Sequence, residues 1–312
     1  MNVLLVGCGS IGKRHLENLN RSAEVEHIFV CSNVKDCLSC LKDKHKVSLV
    51  DSIDDVRPDL AIIANETYKH IDTAVILAKK GIHVFIEKPL SHNLSGKLGL
   101  LKGIVRRNKI KLCVGYNLRF LGALEFIKNK LSRNAIGAIY FAKIEVGQYL
   151  PFWRNGRDYR ASYSASKKRG GGVSLDLSHE IDYMRYLFGD PGSRKVVKAK
   201  VSSLKIDADD VFEGIYVYSN FVCNVHLDYL QKDMKRIIRI EGEKGSIICD
   251  FIKKKIMINI LGRETTVSAK KLFDLDKTYR DEILSFIKSI KLNHQPAVTL
   301  EDGVKVLELI EA

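Results

Sequence analysis

Residues 1–12 read MNVLLVGCGSIG, and this stretch decides the fold of the chain. The apolar run Val3–Val6 predicts a buried strand, and three glycines follow it at the spacing G-x-G-x-x-G. After a strand and before a helix, the first glycine permits a tight turn, the second lets a pyrophosphate approach the backbone, and the third lets helix and strand pack closely. The pattern predicts a dinucleotide-binding turn whose phosphates face the start of the helix. The predicted cofactor contacts at this turn are Gly7, Gly9, Ser10, Ile11 and Gly12.

Outward from this turn, apolar strands alternate with helical segments as far as residue 118. The predicted strands are Val3–Val6, Ile28–Cys31, Val47–Val50, Leu60–Ala64, Val84–Ile86 and Leu112–Val114. The predicted helices between them are Lys13–Asn20, Asn33–Leu41, Lys69–Lys80 and Asn93–Asn108. Continuous apolar strands with intervening helices indicate a parallel sheet covered on both faces. Residues 1–118 are therefore predicted to form an α/β, doubly wound Rossmann domain.

Beyond residue 120 the pattern changes to strands with few helices between them. The predicted strands are Ile139–Val146, Val196–Leu204, Val211–Tyr218, Phe221–Leu227, Arg236–Glu241, Ser246–Phe251 and Lys255–Ile260. Helices are predicted near Ser178–Phe188 and Tyr279–Leu292. Such runs of strands favour an antiparallel or mixed sheet, so residues 119–312 are predicted to form a second, α+β domain.

The composition is that of an ordinary globular protein with a basic surface. Hydrophobic residues make up 46% of the 312 residues, and 51 Lys and Arg against 37 Asp and Glu give a formal charge of +14. The basic residues are scattered and no nucleic-acid recognition motif accompanies them, while no apolar run is long enough to span a membrane. We therefore expect neither nucleic acid nor membrane as a partner. A phosphate-rich cofactor or substrate would suit the positive field.

The seven cysteines indicate a cytoplasmic protein with reduced thiols, because their number is odd and most lie in or beside apolar segments. Cys37 and Cys40 form a single CxxC, without the second ligand pair of a zinc ribbon. No metal site is predicted.

The end of the second predicted strand bears on the choice of cofactor. NAD enzymes usually place Asp or Glu there to accept from the ribose 2′-hydroxyl, whereas this chain reads Cys31-Ser32-Asn33-Val34-Lys35. Ser32, Asn33 and Lys35 can instead donate to a 2′-phosphate, so the sequence slightly favours NADP over NAD. The alternative is that Ser32 or Asn33 caps the next helix.

Four motifs give the chain a resemblance to the glucose–fructose oxidoreductase and inositol dehydrogenase family (Gfo/Idh/MocA). They are Glu87-Lys88-Pro89 after the fifth strand, PDLAIIANETYKH at residues 58–70, GYNLRF at 115–120 and GGGVSLDLSHEID at 170–182. Asn65 and Glu66 replace the usual Thr-Pro of the second motif. In the fourth, Asp176 and His179 stand at Asp-x-x-His instead of the usual Asp-x-x-x-His.

The resemblance implies a Rossmann domain followed by a domain with a large open, mostly antiparallel sheet. It also implies an NAD(P)-dependent enzyme that moves hydride between nicotinamide and a carbon of a sugar, here a nucleotide-linked or amino sugar. A homodimer or homotetramer is expected through the uncovered sheet face. Two other functions are known on this scaffold: a cofactor-binding regulator without turnover, and an NAD-dependent glycosidase.

Lys88, His179 and Asp176 are the predicted catalytic residues. Lys88 leaves the carboxyl edge of a parallel sheet, where its charge can stabilise a developing oxyanion, while a neutral imidazole at His179 can accept the hydroxyl proton. Asp176 and His179, three residues apart in one predicted helix, are expected to share a face, with Asp176 orienting His179 or holding a sugar hydroxyl. The alternatives are a helix-capping Asp176 and a core histidine.

The remaining predicted contacts follow the strand ends and a long aromatic loop. Predicted cofactor contacts are Asn65, Thr67, His70, Glu87, Lys88 and Asn117. Predicted substrate contacts are Tyr116, Arg119, Trp153, Arg154 and Tyr159. Aromatic and arginine side chains suit stacking on rings and binding of phosphate or carboxylate. An ordinary lid or a subunit-contact loop is the alternative for the segment around Trp153.

Overall fold

The computed structural model describes residues 1–34, 36–41, 43–153, 156 and 158–311. It divides into two compact units, and the first comprises Met1–Asn117 together with Tyr279–Leu307. The second comprises Leu118–Thr278 with Glu308–Ala312. The sequence pattern places everything after residue 118 in the second domain, whereas residues 279–307 belong to the first unit.

A six-stranded parallel sheet forms the core of the first unit. Its strands are β1 Asn2–Val6, β2 His27–Cys31, β3 Val47–Val50, β4 Leu60–Ile63, β5 His83–Glu87 and β6 Leu112–Gly115. They lie in the order β3-β2-β1-β4-β5-β6, and the chain changes direction of winding between β1 and β4. The central strands are almost wholly buried, as their continuous apolar sequences require. The predicted Rossmann fold is confirmed.

Helices α1 Ser10–Asn20, α2 His70–Lys79 and α3 Gly96–Arg107 follow β1, β4 and β5. The helix predicted over Asn33–Leu41 is wrong, because the described part of this segment contains only a 3-10 turn at Cys37–Cys40. Short polar side chains bond the local backbone here: Ser32 Oγ accepts from the Val34 N–H, and the Ser39 hydroxyl donates to the Asp36 carbonyl. Such bonds compete with helix formation.

An eight-stranded mixed sheet forms the core of the second unit. Its strands are β7 Ile139–Gly147, β8 Ser193–Ala199, β9 Val211–Val217, β10 Val222–Asp228, β11 Lys235–Gly242, β12 Gly245–Asp250, β13 Lys255–Ile260 and β14 Arg263–Val267. They lie in the order β14-β13-β12-β11-β7-β10-β9-β8. The β7–β10 pair is parallel and the other neighbouring pairs are antiparallel. The predicted large, mostly antiparallel sheet is confirmed.

Helices α4 Gly122–Ser132, α5 Val173–Asp176 and α6 His179–Phe188 belong to the second unit. Helices α7 Leu275–Lys291 and α8 Leu300–Ile310 follow the sheet in the sequence, and most of their residues belong to the first unit. Helix α6 packs on β7, and α4 packs on α6. The sequence analysis missed α4, α8 and β14. No side chain caps the start of α4, Gly303 lowers the helix propensity of α8, and β14 (RETTV) has no buried apolar alternation. Among the described residues, no helix has the length and apolar character that crossing a membrane requires.

Candidate active site

The turn between β1 and α1 is built on close backbone contacts. Gly7 has φ +90°, and a Cβ there would lie 2.6 Å from the Asn65 nitrogen at the end of β4. A Cβ at Gly12 would collide with the carbonyl oxygen of Gly7. Both positions therefore require glycine, and α1 begins directly at the point where the strand order reverses, which is where open α/β sheets bind ligands.

Gly9 is a glycine for a different reason. It is exposed, and a Cβ there would meet no protein atom within 4 Å. No side chain caps α1 at this position. Because the first amides of a helix have no partner within the helix, those of Ser10 and Ile11 point outward at its positive end. An added Cβ would occupy the space through which a phosphate approaches these amides.

Asn65 supplies a second feature that suits a bound ligand. Its Nδ2 donates to Thr73 Oγ1 at 3.1 Å, while its buried Oδ1 has no hydrogen-bond partner among the described residues. A buried acceptor without a donor is unusual in a folded protein. Beside the glycine turn, a donor group of a dinucleotide would satisfy it, so the residues present fit such a cofactor.

His70 has a supporting place between two strand ends. Its ring is buried, with Nδ1 2.9 Å from the Pro89 carbonyl oxygen and Nε2 3.2 Å from that of Asn65. Burial lowers the pKa of His70, so the imidazole is neutral and donates a single hydrogen bond, and the Pro89 contact is the shorter. His70 thus holds the segments after β4 and β5 together, and Thr67, which precedes it, is also buried.

Glu87 and Lys88 lie at the carboxyl end of β5. Lys88 is partly exposed, and its backbone N–H donates to Glu87 Oε2 at 3.2 Å. Glu87 is buried, and its Oε1 lies 2.5 Å from His15 Nε2. Lys88 therefore lies at the edge of the sheet, and its backbone N–H is bonded to the buried carboxyl group of Glu87.

Two further candidates follow β6 in the first unit. Tyr116 is completely buried and Asn117 nearly so. The predicted contacts of Tyr116 with substrate and of Asn117 with cofactor stay predictions.

At the end of β2 the Ser32 hydroxyl supports the glycine turn. Its Oγ accepts from the Cys8 N–H at 3.2 Å and from the Val34 N–H at 3.1 Å. The hydroxyl hydrogen remains available to a ligand, and Asn33 beside it is exposed. Lys35, the third predicted contact, lies outside the described residues.

In the second unit, Asp176 and His179 belong to different helices, which corrects the prediction of one helix. Asp176 is the last residue of α5, Leu177 leaves helical geometry (φ −101°, ψ +31°), and His179 is the first residue of α6. The glycine run sets this arrangement, because Gly172 has φ +116° and the chain then turns so that Asp209 accepts from the next two amides. Asp176 and His179 therefore do not project from one face of a single helix.

Asp176 is held by Tyr229, a residue that the sequence analysis missed. The Tyr229 hydroxyl donates to Asp176 Oδ2 at 2.5 Å. Burial, together with the charge of Asp176, raises the pKa of Tyr229 well above its usual value, so the phenol remains a donor. Trp153 packs edge-on against Tyr229 with ring centroids 5.1 Å apart, and its Nε1 donates to the Gln148 carbonyl. The only sequence signal for Tyr229 is its position directly after β10.

A cavity of about 330 Å³ adjoins Trp153 in the second unit. It is lined by Leu150, Pro151, Trp153, Asp158, Tyr159, Ala161 and Ser162. Its lining brings together two of the predicted substrate residues, Trp153 and Tyr159, and apolar walls with a few polar groups are typical of small-molecule sites. Arg154 lies outside the described residues.

Arg119 forms an ion pair with Asp182. Its Nε and Nη2 contact Asp182 of α6 at 2.7–3.1 Å, and both side chains are largely buried. The guanidinium thus anchors the helix that begins with His179. The predicted contact of Arg119 with the substrate stays a prediction.

Known proteins resemble this chain over its whole length. Residues 1–116 match the family model described as "Oxidoreductase family, NAD-binding Rossmann fold", named GFO_IDH_MocA. Residues 128–312 match its companion, "Oxidoreductase family, C-terminal alpha/beta domain". The chain is 26% identical to the myo-inositol 2-dehydrogenase of Thermotoga maritima, over 99% of this chain and 94% of that protein.

Solved structures of other proteins share the fold. A levoglucosan dehydrogenase in complex with NADH and levoglucosan aligns with TM-score 0.85 and 20% identity, covering 99% of this chain and 95% of the other. A UDP-N-acetylglucosamine 3-dehydrogenase from Acidithiobacillus ferrooxidans aligns with TM-score 0.80 and 19% identity, with the same coverage. At these identities the likeness establishes architecture.

The glycine turn gives a paired prediction. Gly9→Ala should leave the urea unfolding midpoint unchanged, because its Cβ meets no protein atom, while weakening dinucleotide binding at least about tenfold. Gly12→Ala should instead lower the unfolding midpoint, because its Cβ collides with the Gly7 carbonyl. Calorimetric titration with NADH and NADPH supplies the affinities. Normal cofactor affinity in folded Gly9→Ala would contradict this placement of the phosphates.

Proposed function

This chain belongs to the Gfo/Idh/MocA oxidoreductase family, and we propose that it transfers hydride between a nicotinamide dinucleotide and a ring hydroxyl or ketone of a sugar. The observation that carries the proposal is the glycine turn at the strand-order reversal, with open space above Gly9 and an unpartnered acceptor on Asn65. An anion-binding helix start beside a buried acceptor supports a dinucleotide better than a lone phosphate.

Lys88 and His179 are the residues to which we assign the chemistry. In the oxidative direction the substrate C–H bond breaks as hydride leaves, and the nicotinamide ring, when bound, accepts that hydride. The hydroxyl proton passes to His179, and the ammonium of Lys88 stabilises the negative charge that develops on the oxygen. The products are a ketone, the reduced cofactor and a proton on His179.

Asp176 binds a sugar hydroxyl or orients His179 in this proposal. The fixed hydrogen bond from Tyr229 supports that assignment, because it holds the carboxylate in one orientation. Less conformational entropy is lost on substrate binding when the acceptor is already held in place. The break between α5 and α6 falls within the Asp-x-x-His segment.

The substrate class is proposed from the relatives and the cavity. Proteins with this fold are named as dehydrogenases of myo-inositol, levoglucosan and UDP-N-acetylglucosamine. The Trp153 and Tyr159 rings that line the cavity suit the apolar faces of a sugar or a base. We propose a nucleotide-linked or amino sugar, with which the formal charge of +14 is compatible.

A second copy of this chain is the proposed partner for the eight-stranded sheet. Exposed Phe141, Ile215 and Val217 lie on its strands beside the exposed charges of Lys143 and Glu213. Apolar residues mixed with both signs of charge suit a symmetric interface, where each patch meets its own copy. Light scattering coupled to gel filtration should give a dimer or tetramer, and a monomer at micromolar concentration would contradict the proposal.

The function is tested by screening sugars and nucleotide sugars with NAD and NADP in parallel while following cofactor absorbance. With the substrate found, Lys88→Gln and His179→Asn should each lower kcat by about 10²–10⁴-fold, the usual contribution of a positioned acid–base or oxyanion group. The cofactor affinity of His179→Asn should stay within about threefold of wild type, because His179 is not among the predicted cofactor contacts. Lys97→Gln, at an exposed lysine paired with Asp72, is the matched control.

Unchanged rates in both variants would overturn the catalytic assignment. Cofactor binding without a net absorbance change on any sugar would favour a regulator or a glycosidase that recycles its cofactor.

The preference for NADP is tested at Ser32. We propose that wild type binds NADPH more tightly than NADH, because no carboxylate ends β2. Ser32→Asp retains an acceptor for the amides of Cys8 and Val34 but adds a charge that repels a 2′-phosphate. It should reverse the order of the two dissociation constants. Tighter NADH binding by wild type would remove the proposed preference.

A further inference from the structure

A buried cluster of three titratable side chains lies behind Lys88 in the first unit. It consists of His15 on α1, Glu87 at the end of β5 and Glu282 on α7, with exposed fractions of 0%, 6% and 2%. One ligand atom from each lies within 4.8 Å of the others. The proposed reaction uses none of His15, Glu87 and Glu282 directly, so the cluster needs another explanation.

Glu87 is the centre of this cluster. Its Oε1 lies 2.5 Å from His15 Nε2, and its Oε2 accepts from the backbone N–H of Lys88 at 3.2 Å. The Nδ1 of His15 has no hydrogen-bond partner among the described residues, which fits a ring with its proton on Nε2, toward Glu87. His15 therefore donates to Glu87, and Glu87 in turn holds the peptide of Lys88.

Glu282 is the member without an evident role. Neither of its carboxyl oxygens has a hydrogen-bond partner among the described residues. Aromatic rings surround the cluster: Phe85 and Tyr279 contact His15 edge-on, and Phe286 packs against Phe85. Two carboxylates this close in an apolar site cannot both carry a charge. Burial and the charge of Glu87 accordingly raise the pKa of Glu282 well above its usual value.

A proton explains this geometry better than a metal ion. An ion coordinated by the imidazole and the carboxylate would lie about 2.0–2.2 Å from each ligand atom and would take the Nε2 lone pair. The 2.5 Å contact between His15 Nε2 and Glu87 Oε1 is instead a direct hydrogen bond. A protonated Glu282 supplies the donor that two adjacent carboxyl groups need, without an ion.

We propose that Glu282 is a neutral carboxylic acid whose hydroxyl turns to donate to Glu87, an oxygen of which lies within 4.8 Å, so that His15, Glu87 and Glu282 act together as a positioning cluster for Lys88. Glu282 touches neither substrate nor cofactor in this proposal. Its effect passes through Glu87, which keeps the Lys88 backbone fixed while the side chain meets the developing oxyanion. The role of Lys88 rests on the proposed function, whereas the protonation of Glu282 does not.

The protonation is tested on the protein without cofactor or substrate. The infrared difference spectrum between wild type and Glu282→Gln should contain the carbonyl stretch of a protonated carboxylic acid. Glu301→Gln, which removes an exposed glutamate of α8 paired with Lys102, should show only the loss of a carboxylate band. A carboxylate band lost in Glu282→Gln would overturn the proposal. So would a stoichiometric metal ion in purified wild type that is absent from Glu282→Gln.

The positioning role is tested by comparing two variants of similar size. Glu282→Gln keeps a neutral donor toward Glu87, so kcat should stay within about threefold of wild type. Glu282→Met removes the donor, and kcat should fall at least about tenfold, while the dissociation constant of the cofactor stays within about threefold. A packing role alone would give similar kcat values for both variants and would overturn the positioning claim. A loss in Glu282→Gln as large as in Glu282→Met would show that Glu282 acts as a charge, which also contradicts the proposal.

The two claims fail separately. If no sugar supports turnover, the proposed function fails and the infrared comparison still decides the state of Glu282. If Glu282→Met does not fold, wild type, Glu282→Gln and Glu301→Gln remain for the spectroscopic test.

Discussion

The close packing of Gly12 against Gly7, whose carbonyl oxygen would lie 2.2 Å from a Cβ at Gly12, is the constraint on which the rest of the first unit depends. It lets α1 start directly after β1, at the point where the strand order reverses. The outward amides of the helix start and the ends of β4 and β5 then share one edge of the sheet. A larger residue at either glycine would displace the helix, and the phosphate site with it.

In each unit a buried side chain forms a hydrogen bond to a residue with a proposed function. In the first, Glu87 bonds the Lys88 backbone and is itself bonded by His15. In the second, Tyr229 bonds Asp176 and packs against Trp153. Reacting groups need such support, because a lysine or carboxylate that moves freely loses the rate advantage of a fixed geometry.

The sequence predicted the features that depend on neighbouring residues, and it missed the contacts between residues far apart in the chain. Continuous apolar strands and the glycine spacing were sufficient for the Rossmann sheet, and alternating strands for the second sheet. The break between Asp176 and His179 depends on Asp209, which accepts from the amides after the glycine run. Tyr229 lies 53 residues from Asp176, and His15 lies 72 from Glu87. No local pattern links such pairs, so only the folded chain brings them together.

The central claim is direct hydride transfer between nicotinamide and a sugar carbon, and isotope tracing tests it most directly. The enzyme would be incubated with a keto sugar and reduced cofactor carrying two deuterium atoms at C4, and the product examined by NMR and mass spectrometry. The account predicts one deuterium on the former carbonyl carbon of the sugar, with none in the solvent. A cofactor that keeps both deuterium atoms at C4, or a reduced sugar that contains only hydrogen from water, would contradict it.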